Sequence, residues 1–236
     1  MSFYTLRSVL FASALLPSLF GGTAFSQSAD VTAQVEMTRA SQQKAARDQS
    51  SGVVVWLDPI SQNVSAPKPG HFRLEQKDKS FHPHLLVVPL GSLVDFPNLD
   101  PFFHNVFSQF NGKRFDLGLY EEGSNRTVRF DHEGVSYIFC NIHPQMSAVI
   151  ISLSTPYFAV SSPKGNLVLH DVPPNTYEMH VWAEGVDAKQ LSALTRRVQI
   201  GPSQTNLGVF QLVENGVTAH KNKYGQDYFP DREATY

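Results

Sequence analysis

The chain has 236 residues, 42% of them hydrophobic and 17% charged, which suits one large folded domain or two smaller ones and is too apolar for a disordered chain. Nineteen basic side chains against 21 acidic ones leave a formal charge of -2, so no electrostatic footprint exists for a nucleic-acid backbone or an anionic membrane surface. A single cysteine, Cys140, excludes an internal disulfide framework and any zinc site built on paired thiolates.

Residues 1–26 read as a secretory signal, with one positive charge at Arg7, an apolar run over 9–20 and an A-x-S cleavage pattern at Ala24, Phe25 and Ser26. Pro17 interrupts the run, which is shorter than the ~20 residues of a spanning helix. Cleavage and export to the periplasm or a similar space are expected, with no stable membrane insertion afterwards; a retained anchor is the alternative. In an oxidising space a free thiol is a liability unless it is buried or bound to metal.

From Val31 onward the texture predicts an all-β protein: short apolar runs over 53–57, 85–88, 127–130, 135–139 and 148–153, separated by Gly, Pro, Asn and Asp. Residues 37–49 carry a helix-like mix of Ala, Gln, Lys and Arg but too few apolar positions for a core face, which predicts a surface helix or loop. Pro67, Pro69 and Gly70 mark one break, and Thr155 and Pro156 another. Beyond it, 157–160, the turn at Pro163-Lys164-Gly165-Asn166, Val172-Pro173-Pro174-Asn175-Thr176-Tyr177 and 179–182 read as strand, turn, strand, turn, strand. The polar tail over 215–236 is expected to be extended and poorly packed.

The densest chemistry lies in Cys140-Asn141-Ile142-His143-Pro144-Gln145-Met146, with His104 upstream in Pro101-Phe102-Phe103-His104-Asn105-Val106. A cysteine ending a strand is ordinarily a small buried hydrophobe, and a nearby methionine ordinarily core. Together with two histidines, however, the set comprises a thiolate, two imidazoles and a thioether, the donors of a blue-copper site. Cysteine, histidine and methionine at three-residue steps form one tight turn able to wrap a metal, while His104 comes from a separate loop. Zinc accepts the same strong donors, but a thioether is an unusual fourth ligand for it. His82 and His84 flank Pro83 with strand-like alternation and read as exposed strand residues or as a second, weak metal site. His71, His132, His170, His180 and His220 read as ordinary.

The stretch from Phe72 to Leu153 resembles the cupredoxins, in particular the plastocyanin and amicyanin type. The resemblance is carried by Phe81-His82-Pro83, Leu85-Leu86-Val87-Val88, Gly91, Val94-Asp95-Phe96-Pro97-Asn98, Asp100, the His104-Asn105 pair and the Cys140 to Met146 loop. The short gap between His143 and Met146, with Pro144 in it, is similar to the ligand loop of amicyanins. The resemblance implies a Greek-key sandwich holding one copper ion, with His104, Cys140 and His143 as strong ligands and Met146 as the axial one. It also implies that Asn105 ties the two ligand loops together by hydrogen bonding. In one departure, the family's aromatics two and four residues before the cysteine are replaced by Ile138 and Ser136, while Tyr137 and Phe139 fall on the opposite strand face. Both rings are expected to pack under a second domain or a partner. Phe139 also stands where multicopper oxidases and copper nitrite reductases keep a histidine.

The later strands resemble the carboxypeptidase regulatory-like, transthyretin-like β-sandwich, and the run over 53–57 looks like a strand of the same fold. The expected layout is therefore a copper domain over 67–154 inserted into a sandwich made of 30–66 and 155–214, with a tandem arrangement as the alternative. The whole is similar to exported proteins labelled methylamine utilization proteins. These resemblances imply a periplasmic one-electron carrier rather than an enzyme, cycling between Cu(I) and Cu(II). Its expected partners are periplasmic redox proteins such as a dehydrogenase or a cytochrome. Phe102, Phe103, Phe107 and Pro144 form the candidate docking surface. The alternatives are a copper storage or delivery protein and an envelope binding module with a structural metal.

Overall fold

The computed structural model describes residues 28–39, 52–60, 66–109, 112–216 and 220–228. The signal reading over 1–26 lies outside them, as does most of the segment expected to be a surface helix or loop.

Strands in the first half are β1 (Ala29–Arg39), β2 (Val54–Pro59), β3 (His71–Arg73), β4 (Glu75–Lys77), β5 (Ser80–His82), β6 (Leu85–Pro89) and β7 (Leu93–Pro97). They continue with β8 (His104–Ser108), β9 (Phe115–Tyr120), β10 (Asn125–Arg129), β11 (Gly134–Phe139), β12 (Ser147–Leu153) and β13 (Phe158–Val160). The remainder comprises β14 (Asn166–Val172), β15 (Asn175–Trp182), the short helix α1 (Ala188–Leu194), β16 (Arg196–Ile200) and β17 (Thr205–Glu214). The all-β expectation holds. Among the described residues, no helix is long and apolar enough to cross a membrane.

Two-residue alternation places these strands. In β1, Val31, Ala33, Val35 and Met37 point inward while Asp30 and Glu36 face solvent. Met37 to Arg39 thus close β1 instead of opening a helix, because Met37 continues its buried face and Thr38 and Arg39 pair with β17. The sheets β14-β1-β17 and β13-β2-β15-β16 enclose a core that includes Val31, Val35, Leu57, Tyr177, Met179 and Phe210. Within them β2 pairs with both β13 and β15, and β1 runs antiparallel to β14 and parallel to β17.

The sheets β6-β12-β11-β8-β9 and β10-β7-β3 enclose a second core with Leu74, Phe96, Phe130, Ile138, Cys140 and Ile150. The continuous apolar run of β12 has a simple cause, since the strand is buried on both faces. Ala148 and Ile150 enter the second core, while Val149, Ile151 and Leu153 meet Val54 and Trp182 in a third cluster that joins the two sandwiches. Burying each such large apolar side chain contributes roughly 1.5–3 kcal/mol. Half-buried Tyr137 packs against this third cluster, as its strand parity predicts, whereas Phe139, 8% exposed on the same face, is covered by the ring of His220 from the tail rather than by this cluster.

The tail differs from expectation. Residues 220–228 have no regular structure, yet they lie against β9, β11 and the Cys140 turn through specific hydrogen bonds and a ring stack. Polar composition hid this because the contacts use aromatic rings and main-chain groups rather than an apolar face.

Candidate metal centre

Cys140 follows the end of β11, and Met146 immediately precedes β12. The intervening turn is closed by Cys140 N–H donating to the Met146 carbonyl at 3.2 Å and Met146 N–H donating to the His143 carbonyl at 3.1 Å. His104 opens β8, which lies beside β11 through the Phe107–Phe139 pair. Two neighbouring strand ends and one turn therefore converge. His104 Nδ1 lies 3.8 Å from Cys140 Sγ and His143 Nδ1 lies 3.6 Å from it. The three donor atoms fall within 4.8 Å of one another, the one group of this kind among the described residues. Met146 is fully buried in the same core cluster as Cys140.

The first histidine is held from behind. Its Nε2 lies 2.8 Å from Asp100 Oδ2, so Nε2–H donates to the carboxylate and Nδ1 is left with a free lone pair facing the sulfur. Asp100 also accepts from the main-chain N–H groups of Asp78 at 2.7 Å and Lys79 at 2.9 Å. Asn98 orders this loop, accepting from Asp100 N–H and donating to the carbonyls of Phe102 and Tyr120. Burial works against the Asp100 charge, but the Lys79, His104 and Asp78 donors outweigh it and hold the carboxyl below its ordinary range. Burial pushes the His104 pKa down against the opposing pull of Asp100, which keeps the imidazole neutral and able to coordinate.

Burial likewise pushes the Cys140 thiol up, partly offset by the main-chain N–H groups of Asn105, Ile142 and His143 directed at the sulfur. Two imidazole nitrogens, a buried sulfur with N–H donors around it and a buried thioether fit a single type 1 copper ion. When bound, such an ion supplies a one-electron Cu(I)/Cu(II) couple.

Not every expected residue sits where the sequence put it. The Asn105 side chain does not reach the Cys140 loop. Its Nδ2 donates to Asp116 Oδ1 on β9 at 2.7 Å, and it is the Asn105 main-chain N–H that faces the sulfur. Phe107 is 1% exposed and leaves the docking surface: on β8 it faces away from the second core and packs against the Phe139 ring at 5.8 Å. Phe103 is 54% exposed, Pro144 is exposed, and half-buried Phe102 sets its ring 5.1 Å from His104 and 5.7 Å from His143. Leu99 and Ile142 add exposed apolar surface. His84 spends both ring nitrogens elsewhere, on the Ser147 carbonyl at 3.0 Å and on Glu184 Oε2 at 2.6 Å, and His82 is exposed.

Sequence reasoning singled out neither Asp100 as the partner of His104 nor any tail residue. An acid four positions before a candidate ligand histidine was the available signal for the first. An unusual run of His220, Tyr224 and Tyr228 in a polar tail was the signal for the second.

No protein-family model and no curated protein matches the chain. Solved structures similar to it include a copper-containing nitrite reductase from Thermus scotoductus SA-01, at 23% identity and TM-score 0.35, over 42% of this chain and 26% of that one. A purple cupredoxin from Nitrosopumilus maritimus is 24% identical with TM-score 0.31, over 34% of this chain and 98% of that one. A Cu(I) amicyanin variant is 14% identical with TM-score 0.33, over 42% of this chain and 98% of that one. The chain thus spans about a quarter of the nitrite reductase it matches.

Proposed function

We propose that the chain is an exported type 1 (blue) copper protein that carries single electrons between redox partners. His104, Cys140 and His143 serve as strong ligands and Met146 as the weak axial one. The observation that carries this reading is the pair of histidine Nδ1 atoms at 3.8 and 3.6 Å from a fully buried Cys140 sulfur. Prearranged donors need little rearrangement when an electron arrives or leaves, which suits transfer better than storage. Half-buried His143, beside exposed Pro144 and Ile142, offers the edge through which electrons enter and leave. Phe103, Pro144 and Phe102 belong to the surface on which a dehydrogenase or cytochrome docks, and weak redox encounters need only a small patch.

The layout supports a copper domain over 67–154 set within a sandwich of 30–66 and 155–214, the latter acting as scaffold or docking module. The reading includes export through a cleaved signal over 1–26 and a periplasmic location.

The test is the visible spectrum of the purified protein loaded with Cu(II), followed by reduction and reoxidation. An intense thiolate-to-copper band that bleaches, returns and is lost in Cys140→Ser is expected. A colourless protein, or one that releases copper on reduction, would replace the carrier reading with storage, delivery or a structural metal.

A further inference from the structure

We propose that residues 220–228 form an outer clasp that positions the Cys140 arm and the His104 arm of the metal centre relative to one another. The purpose of the clasp rests on the copper reading above, whereas its geometry rests on contacts within the chain. The face of the five-stranded sheet that points away from the second core is covered in two parts. Val149, Ile151 and Leu153 on β12 lie under the other sandwich, while Phe107 on β8 and Phe139 on β11 lie beyond it. The clasp covers this second part, and His220 stacks on the Phe139 ring with centroids 4.0 Å apart and planes 24° apart.

Its hydrogen bonds then go to the ligand loop itself. Tyr228 Oη donates to the Cys140 carbonyl at 2.7 Å, and Lys223 N–H donates to Asn141 Oδ1 at 2.9 Å. The Cys140 N–H is already committed to the Met146 carbonyl, so Tyr228 fixes the remaining polar main-chain group of the residue that supplies the sulfur. The same segment reaches the other arm. Lys223 Nζ lies 2.8 Å from Asp116 Oδ2, and the second oxygen of that carboxylate accepts from Asn105 Nδ2, the residue after His104. One short segment therefore grips three consecutive residues, Phe139, Cys140 and Asn141, and is linked through a single carboxylate to the strand that opens with His104. A tail merely lying on the surface has no reason to bond the cysteine carbonyl. Ligand geometry held from outside in this way is how supporting contacts tune a metal site.

The experiment uses the full chain with Tyr228→Phe, which keeps the ring and removes only the hydroxyl, and Tyr228→Phe/Lys223→Ala, which also frees Asp116. Urea unfolding confirms that each variant is folded. In metal-free protein, a neutral aromatic disulfide reagent is expected to modify Cys140 about tenfold faster in the double variant than in the wild type, because local opening becomes easier. Loaded with Cu(II) alone, the single variant is expected to shift the thiolate-to-copper band while its unfolding midpoint stays close to the wild-type value. Unchanged thiol reactivity and an unchanged band in both variants would overturn the clasp. Faster modification with an unchanged band would overturn its positioning role and leave a simple cover. Absence of the band from the wild type would remove the copper reading, and the thiol rates would still decide whether the clasp holds the loop.

Discussion

At the scale of single residues, the centre depends on side chains that hold the donors as much as on the donors. Asp100 is the clearest case, since it is 4% exposed and accepts from His104 and from two main-chain N–H groups. Asp100→Ala strands these donors in a buried loop, so urea unfolding of the metal-free protein should show a loss of about 1–3 kcal/mol. With the His104 ring free to turn, copper affinity in a competition titration should fall about 10–100-fold. The donors themselves were legible in the sequence because three of them fall within one seven-residue turn whose spacing constrains them directly. Asp100 could be quoted in the sequence but its role could not, because a carboxylate's partner depends on how a loop folds back. Asn105 shows the converse: its position was legible, yet its side chain turned to Asp116, a strand away, which no local spacing encodes.

At the scale of elements, alternation explains what was readable. Apolar runs at 85–88, 135–139 and 148–153 became β6, β11 and β12 because hydrophobic patterning and strand parity agree there. Residues 37–39 misled because Met37 lies at the junction of a strand and a polar stretch, and composition averaged over the stretch outweighed one inward side chain. Turns set sharper limits. Gly165, before β14, has φ +80°, and its carbonyl accepts from Val35 N–H. A Cβ there would lie 2.2 Å from the Val35 carbonyl oxygen, which is main chain and cannot swing away. Gly165→Ala should therefore cost more than about 2 kcal/mol in a thermal melt. Gly118, at φ +68° with open space around it, should cost only about 1–2 kcal/mol on the same substitution, from backbone conformation alone.

At the scale of the whole molecule, the two sandwiches are joined by the cluster of Val54, Val149, Ile151, Leu153 and Trp182. Truncating Trp182, the largest buried side chain of this cluster at 7% exposure, should cost about 3–5 kcal/mol in urea unfolding. Beside the cluster, His84 from one sandwich meets Glu184 from the other at 2.6 Å and the Ser147 carbonyl at 3.0 Å. Both partners only accept, so the doubly protonated ring satisfies both, and the Glu184 hydrogen bond raises the His84 pKa above 6.5. The stabilisation is complete below pH 6.5 and is lost as pH rises through the raised value. The ring is 52% exposed, so the effect should stay under about 1 kcal/mol, seen as a lower urea midpoint at alkaline pH that Glu184→Gln abolishes.

The pairing of β1 with β14 and β17 carries a consequence for how the protein is made. As the chain is threaded out during synthesis, β1 emerges early, but both of its neighbours come later in the chain. The intervening strands β3 to β12 pair only among themselves and can settle first. Until β14 arrives, β1 has two bare edges, and until β17 arrives one edge is still bare, so β1 is the stretch most open to capture by a chaperone or by another copy of itself. A pause late in the chain therefore endangers the earliest strand more than the metal-binding half.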